Sequence, residues 1–242
     1  MLLNQNLNYS GTNKIVHYIK IAGCVFQITS YINEDQLALE NFFIERIKQL
    51  YIGFILVNKP EIIDFEINIY PTSSYDFMLN KRSKHFFMGI SQRASEREVI
   101  TNYNISDIQF QIILRGLCQE YLSKKKGFLM HGSSVEVKNK ANIFLGESGA
   151  GKSTIMSMLS NEYAPLGDDS FFIKREKGNF VFYSTPTKEK NSWFAKSCYP
   201  HLIGNIFLLK KGKKHLIKKI KDKKTIFNEI LVSLSNLSLI CM

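Results

Sequence analysis

The sequence predicts a mixed α/β fold, with a β-rich N-terminal lobe over residues 1–104 and a second α/β lobe over residues 105–242. Three observations carry this. Residues 64–70 (D-F-E-I-N-I-Y) alternate apolar and polar side chains, the period of a half-buried strand. Ser106-x-x-Gln109 is a capping pattern followed by apolar residues at helical spacing. Asn142-Ile143-Phe144-Leu145, a short and largely apolar run, enters residues 146–153, which fit G-x-x-x-x-G-K-[ST], and a helical stretch leaves them.

Taken in order, residues 1 to about 13 read as a loose start, and residues 14–31 as two strands around Gly23. Asn33, with Gln36 three residues on, opens a helix carrying Leu37, Leu39, Phe42, Phe43, Ile47 and Leu50 up to Gly53. Residues 85–90 and 98–103 are weaker strands, and N-K-R-S-K and S-Q-R-A-S-E-R are exposed turns. The helix opened by Ser106 runs to about Ser123, with Ile108, Ile112, Ile113, Leu117 and Tyr121 facing a core. The break Lys124-Lys125-Lys126-Gly127 ends it. Residues 128–137 and 141–145 read as a hairpin across Lys138-Asn139-Lys140. A helix follows over residues 152–161 with Ile155, Met158 and Leu159 on one face. Residues 179–184, 202–209 and 216–220 read as strands, and a helix from Thr225 to about Leu237 closes the chain.

A length of 242 residues allows one large domain or two small ones with a sizeable core, and 45% apolar with 22% charged residues is a globular composition. The net charge is +11, with lysines crowded at 210, 211, 213, 214, 218, 219, 221, 223 and 224. Such a run suits nucleic acid, an acidic peptide or a membrane surface. With no nucleic-acid motif beside it, the expectation is a solvated, lysine-biased segment and no nucleic-acid partner. Cys24, Cys118, Cys198 and Cys241 are far apart, form no C-x-x-C pair, and read as reduced thiols, with Cys24 and Cys118 buried. His17 and His85 read as packed histidines. The start M-L-L-N-Q-N-L-N lacks the basic and apolar regions of a signal peptide. Residues 226–242 are interrupted by Asn228, Glu229 and Asn236 and fall short of a spanning helix, so a cytoplasmic location without membrane contact is expected.

The loop carries the chemistry. Gly146, Gly149 and Gly151 let the backbone turn its N–H groups towards an anion, and the following helix points its positive end there. Gly146, Glu147, Ser148, Gly149, Ala150, Gly151, Lys152, Ser153 and Thr154 are the expected nucleotide-binding set, with Lys152 on the β/γ-phosphates and Ser153 on Mg²⁺. Asp168-Asp169 is the best-placed carboxylate pair downstream, and such a pair divides metal binding from proton acceptance.

His131-Gly132, the loop at 146–153 and Asp168-Asp169 together resemble the HPr kinase/phosphorylase family in its broad sense, which shares its nucleotide-binding core with phosphoenolpyruvate carboxykinase. Ser184-Thr185-Pro186 and H-L-I-G-N-I-F-L-L-K-K at 201–211 are similar to the T-P turn and apolar strand of compact members, some of them encoded beside peptide-modification genes. The resemblance covers roughly residues 112–231 and is strongest over 131–169. It implies an ATP- and Mg²⁺-dependent kinase that moves a γ-phosphoryl group to a hydroxyl of a protein, peptide or small molecule. It further implies Asp168 as base, Asp169 as metal partner with Ser153, and His131 at the site, orienting the pair or the γ-phosphate. HPr kinases proper are oligomers, so a homo-oligomer is compatible, though no residue here specifies one. The glycine- and glutamate-containing signature of the bifunctional enzymes is missing after the Asp pair, so neither phosphorylase activity nor HPr as acceptor is implied.

Two other readings compete. An ABC-type or mechanical ATPase would suit G-E-S-G-A-G-K-S-T, but there is no L-S-G-G-Q-like segment and no later apolar strand ending in Asp-Glu. A regulatory module that binds ATP without turnover would have no need of Lys152, Ser153 and the Asp pair together.

Overall fold

The computed structural model describes residues 13–32, 37–71, 90–186, 194–212 and 216–238. The cap at Asn33, His85 with most of its strand, Lys213, Lys214 and Cys241 lie outside them. The chain forms a mixed α/β structure with two mixed sheets. Its contacts divide it into two compact units. The first holds Met1–Ile19, Val25–Tyr51 and Ile55–Ile113; the second holds Lys20–Cys24, Ile52–Phe54 and Leu114–Met242.

The first unit is built on β1 (Asn13–Ile21), β2 (Cys24–Ile32), β3 (Ile55–Leu56), β4 (Phe65–Tyr70), β5 (Gln92–Arg93) and β6 (Glu98–Asn102), in the order β3-β1-β2-β4-β6-β5. β4 is parallel to both β2 and β6. Its central place explains why it is more buried than its alternation suggests: even Asn68 is buried, donating to Glu98 Oε1 at 2.7 Å. The stretch expected as an exposed turn after Ser91 instead contributes the short β5 against β6. Helix α1 (Leu37–Leu50) packs through Phe43, which meets Tyr103 and Phe110 edge-on.

Helix α2 (Asp107–Lys124) begins with the expected cap: Ser106 N–H donates to Gln109 Oε1 at 2.8 Å and Gln109 N–H to Ser106 Oγ at 3.3 Å. Its buried face is the expected one only in part: Ile113 and Leu117 are buried, as expected. Ile108 and Ile112 are 70% and 52% exposed, while Phe110, Ile113, Leu114, Leu117, Cys118 and Leu122 are buried. The i, i+3/i+4 pattern holds, shifted part of the way round the helix with Ile113 and Leu117 still inside it, because apolar residues occupy both candidate faces.

The second unit carries β7 (Gly127–His131), β8 (Ser133–Val137), β9 (Lys140–Leu145), β10 (Pro165–Gly167), β11 (Ser170–Glu176), β12 (Asn179–Ser184) and β13 (His201–Leu208). Their order is β10-β8-β9-β13-β12-β11-β7. The single strand expected over residues 128–137 is thus two strands, and they lie towards opposite ends of the sheet. β7 pairs with β11, with His131 opposite Ser170. β8 pairs with β10, with Ser134 opposite Gly167. Only Gly132 separates β7 from β8, and only Asp168-Asp169 separates β10 from β11. The two ends of the sheet therefore meet at these three residues, where Gly132 N–H donates to the Asp169 carbonyl at 3.2 Å. Glycine is required there: a Cβ on residue 132 would lie 2.7 Å from the Phe144 carbonyl oxygen and 3.0 Å from the Phe171 ring.

One face of this sheet packs around Ile143, Leu145, Phe171 and Phe182, with Ile230 and Leu234 of helix α4 (Lys223–Ser238) against them. The other face holds Val135, Phe144 and Met156. Helix α3 (Lys152–Leu159) turns Met156 inward, with Ile155 and Leu159 beside it, whereas Met158, expected on that face, is 73% exposed. Residues 216–220 form no strand and are exposed. Asp222 supplies an unforeseen cap for α4, accepting from Thr225 N–H at 2.9 Å. Cys24 and Cys118 are buried. No helix of the described residues is long and apolar enough to cross a membrane.

The close approach at Gly132 gives a stability test. Gly132→Ala should cost about 1–3 kcal/mol through overpacking against backbone, measured by urea unfolding. Gly116→Ala, on α2 where an added Cβ meets nothing within 4 Å, should gain about 0.5–1 kcal/mol from helix propensity. Equal effects of the two substitutions would contradict the crossing geometry.

Candidate functional site

Strand β9 delivers the chain into the glycine-rich loop. Leu145 is buried, and Leu209 N–H donates to its carbonyl at 2.8 Å, so the end of β13 fixes where the loop begins. Gly146, Gly149 and Gly151 have φ of +148°, +76° and +98°, values that L side chains rarely adopt. A Cβ at Gly146 would strike the Leu209 carbonyl oxygen at 2.7 Å. At Gly151 it would meet nothing within 4 Å, and at Gly149 only Lys211 Nζ at 3.9 Å. The loop is therefore anchored at its start and open where it turns into α3. Glu147, Ser148 and Gly149 are exposed at its crest, with Thr154 exposed in the first turn of the helix.

Lys152 is buried at the base of this loop, 8% exposed, and donates to the carbonyls of Gly146 at 2.9 Å and Glu147 at 3.0 Å. Burial pushes its pKa down, and the nearby charges of Asp169 and Asp168 only partly offset this. A buried ammonium held mainly by neutral carbonyls is a group that an approaching anion would stabilise.

The acidic pair sits across from the loop. Asp168 Oδ1 accepts hydrogen bonds from Ser153 Oγ at 2.8 Å and Ser133 Oγ at 2.6 Å. Asp169 has φ +72° and turns the other way, its Oδ1 3.2 Å from His131 Nδ1. The His131 hydrogen bond is the largest influence on Asp169 and holds its carboxyl below the usual range. Burial opposes this, and the charges of His131, Arg115 and Lys196 add to the lowering. The fold thus brings together Lys152, Ser153, Asp168, Asp169 and His131. Ser153 contacts Asp168 rather than Asp169.

Ser133 is not singled out by the sequence, and Thr185 and Lys211 are read there only as parts of the T-P turn and the lysine run. Ser133, fully buried, is readable only as a serine where an apolar strand residue would do. Thr185, 2% exposed, donates to the Ser170 carbonyl at 3.0 Å and braces the chain just after the Asp pair. Lys211 belongs to the lysine run expected to be merely solvated, yet its Nζ reaches towards the loop at Gly149. Among the described residues no group of three or more His, Cys, Asp or Glu could hold a metal ion. A cation bound here would need further oxygens from a ligand, which is how Mg²⁺ is commonly held beside phosphates.

No protein-family model matches the chain. No curated protein matches it either. Among solved structures, the Hpr(Ser) kinase/phosphatase from Coxiella burnetii is a weak neighbour, with TM-score 0.31 and 15% identity. The match covers 40% of this chain and 66% of that one, just under two thirds of its length.

The lowered Asp169 pKa sets a pH dependence. A carboxylate whose folded pKa lies below its unfolded value stabilises the fold above the unfolded pKa, and loses that contribution as pH falls through the folded value. For Asp169 the loss falls in acid, below the ordinary carboxylate range of about 3.9. His131→Ala should move the Asp169 midpoint upward, read by carboxyl NMR titration. An unmoved midpoint would show that the histidine does not set it.

Proposed function

We propose that the chain is an ATP- and Mg²⁺-dependent phosphotransferase of HPr kinase-like type. It moves a γ-phosphoryl group to a hydroxyl of a protein, peptide or small-molecule acceptor, with residues 105–242 as its nucleotide-binding region. The observation that carries this reading is the double acceptance at Asp168 Oδ1, from Ser153 at the head of α3 and Ser133 beside His131, facing a loop with a buried lysine. A solvated turn would not collect two serine hydroxyls from separate elements.

The residues fit a magnesium–triphosphate. The open glycines and the start of α3 suit an anion, Lys152 supplies a charge short of an anionic partner, and Ser153 with Asp168 offers hard oxygen donors. Bound MgATP would supply the phosphoryl group. Lys152 and the loop N–H groups would hold its phosphates, and Ser153 and Asp168 its metal. Asp169, ionised at neutral pH and oriented by His131, would accept the proton of the acceptor hydroxyl. The Ser153 hydrogen bond favours this division over the one that the family resemblance implies, in which Asp168 is the base.

Three substitutions test the reading. Wild-type protein should gain about 2.7 kcal/mol of stability at MgATP a hundred times above Kd, read by thermal unfolding, and Lys152→Ala should lose most of that gain. Asp169→Asn should keep Mg·ATP affinity and lower transfer about 10²–10⁴-fold. Asp168→Asn should weaken Mg²⁺ binding as well. Exchanged behaviour of the two mutants would restore Asp168 as base. Full transfer by both would remove the pair from catalysis.

A further inference from the structure

Strand β13 ends beside the glycine-rich loop, and the chain that leaves it runs past the loop's first turn. Leu209 N–H donates to the Leu145 carbonyl at 2.8 Å, and the Leu209 carbonyl oxygen stands 2.7 Å from where a Cβ on Gly146 would lie. Side chains along such an extended stretch alternate between the two faces of the sheet. Phe207 and Leu209 pack with Phe144 and Met156 on the α3 face, and Leu208 packs with Leu145 and Phe171 on the α4 face. Lys210 follows Leu208 and reaches Glu229 of α4 at 2.8 Å. Lys211 follows Leu209 to the α3 face, where its Nζ stands 3.9 Å from the Cβ position of Gly149.

The two neighbouring lysines therefore differ in what they can still bind. Lys210 is paired: the Glu229 hydrogen bond is the largest influence raising its pKa, and the charge of Glu147 on the loop adds to it. Lys211 is exposed and, among the described residues, has no hydrogen bond or ion pair. It also comes from a defined end of the loop. Lys152 Nζ is tied to the carbonyls of Gly146 and Glu147, and a phosphate-loop lysine reaches the β- and γ-phosphates. The chain carrying Lys211 crosses at Gly146, so it approaches from that same end.

We propose that Lys211 closes over the crest of the loop onto the terminal phosphate of a bound nucleoside triphosphate, and so makes the site prefer a triphosphate to a diphosphate. This rests on the phosphotransfer reading above and adds a second cation to it. A magnesium–diphosphate keeps about one net negative charge, which Lys152 can meet, whereas a magnesium–triphosphate keeps about two. Lys152 cannot meet both, because Asp168 and Asp169 already compensate part of its charge. Lys211 is the neighbouring cation still free to do so. Its flexible four-carbon stem lets the ammonium follow the phosphate, and it gives up no internal partner when it moves.

The test measures the affinity of the full chain for MgATP and MgADP by titration calorimetry. Lys211→Ala should weaken MgATP about tenfold and MgADP less than about twofold, the worth of one charge-assisted contact to the third phosphate. Lys211→Arg should keep the triphosphate preference. Lys210→Ala, turned to the α4 face, should leave both affinities unchanged. The gap between wild type and Lys211→Ala should narrow as salt is raised, because the contact is exposed. The unfolding midpoint without ligand should not move in Lys211→Ala; a fall in stability that matches the loss of affinity would make the residue structural and overturn the proposal. Equal weakening of MgATP and MgADP would place Lys211 on the nucleoside or the inner phosphates, and would overturn it too. If wild type does not bind MgATP, or Lys152→Ala binds it equally well, the nucleotide reading falls and this proposal with it. If Lys152→Ala loses affinity while Lys211→Ala keeps the wild-type preference, this proposal alone falls.

Discussion

Gly132 N–H donates to the Asp169 carbonyl where two pairs of strands change partners, and the site depends on that crossing. Strands 127–131 and 133–137 would be one strand if residue 132 could be passed without a break. With its Cβ position 2.7 Å from the Phe144 carbonyl, only glycine lets β9 come that close. The closeness of β9 then places the glycine-rich loop, which begins one residue after β9 ends, beside the Asp pair. Asp169 completes the crossing in a left-handed conformation that costs a non-glycine residue energy. Its hydrogen bond to His131 offsets part of that cost and explains why the histidine stands next to the glycine.

Charge balance follows from the same geometry. Lys152 is buried and tied to two carbonyls, so its positive charge is poorly solvated. Two carboxylates lie near enough to compensate in part. Each is already committed, Asp168 to two serine hydroxyls and Asp169 to His131. The result is a buried ammonium whose charge its neighbours compensate only in part. Lys211, reaching over Gly149, adds to the positive field at the mouth of the loop. A cleft between β12 and β13 is different in character: Met130, Ile173, Ile203 and Ile230 make its interior apolar.

Much of this was legible in the chain itself. The capping box at Ser106 and Gln109, the hairpin around Gly23, the run into Gly146 and the helix from Lys152 are local features, set by hydrogen bonds and φ preferences within a few residues. The mixed α/β class followed from them. The faces of α2 and α3 were legible only in part: Ile113, Leu117, Ile155 and Leu159 turn inward as expected, but Ile108, Ile112 and Met158 are as apolar as the residues that are buried and stay exposed. Which stripe turns inward is decided by what packs against it.

The sequence alone marked Lys152, Ser153, Asp168 and Asp169 as candidates, because residue type and spacing encode a glycine loop and a carboxylate pair, and it marked His131 through the family resemblance. Only the tertiary structure decided how they meet. Residues 128–137 read as one strand because a lone glycine is the only turn signal between Met130 and Val135, and the switch of partners at Gly132 arises from a steric contact with a strand still to come. Ser133 became a partner of Asp168 across 35 positions, and Ser153 across 15, through pairing that no local pattern specifies. The same holds for the cleft beside Phe180, which exists because two strands with good local propensity stop pairing after two residues. Strand propensity is local, but register and partner choice are properties of the whole sheet.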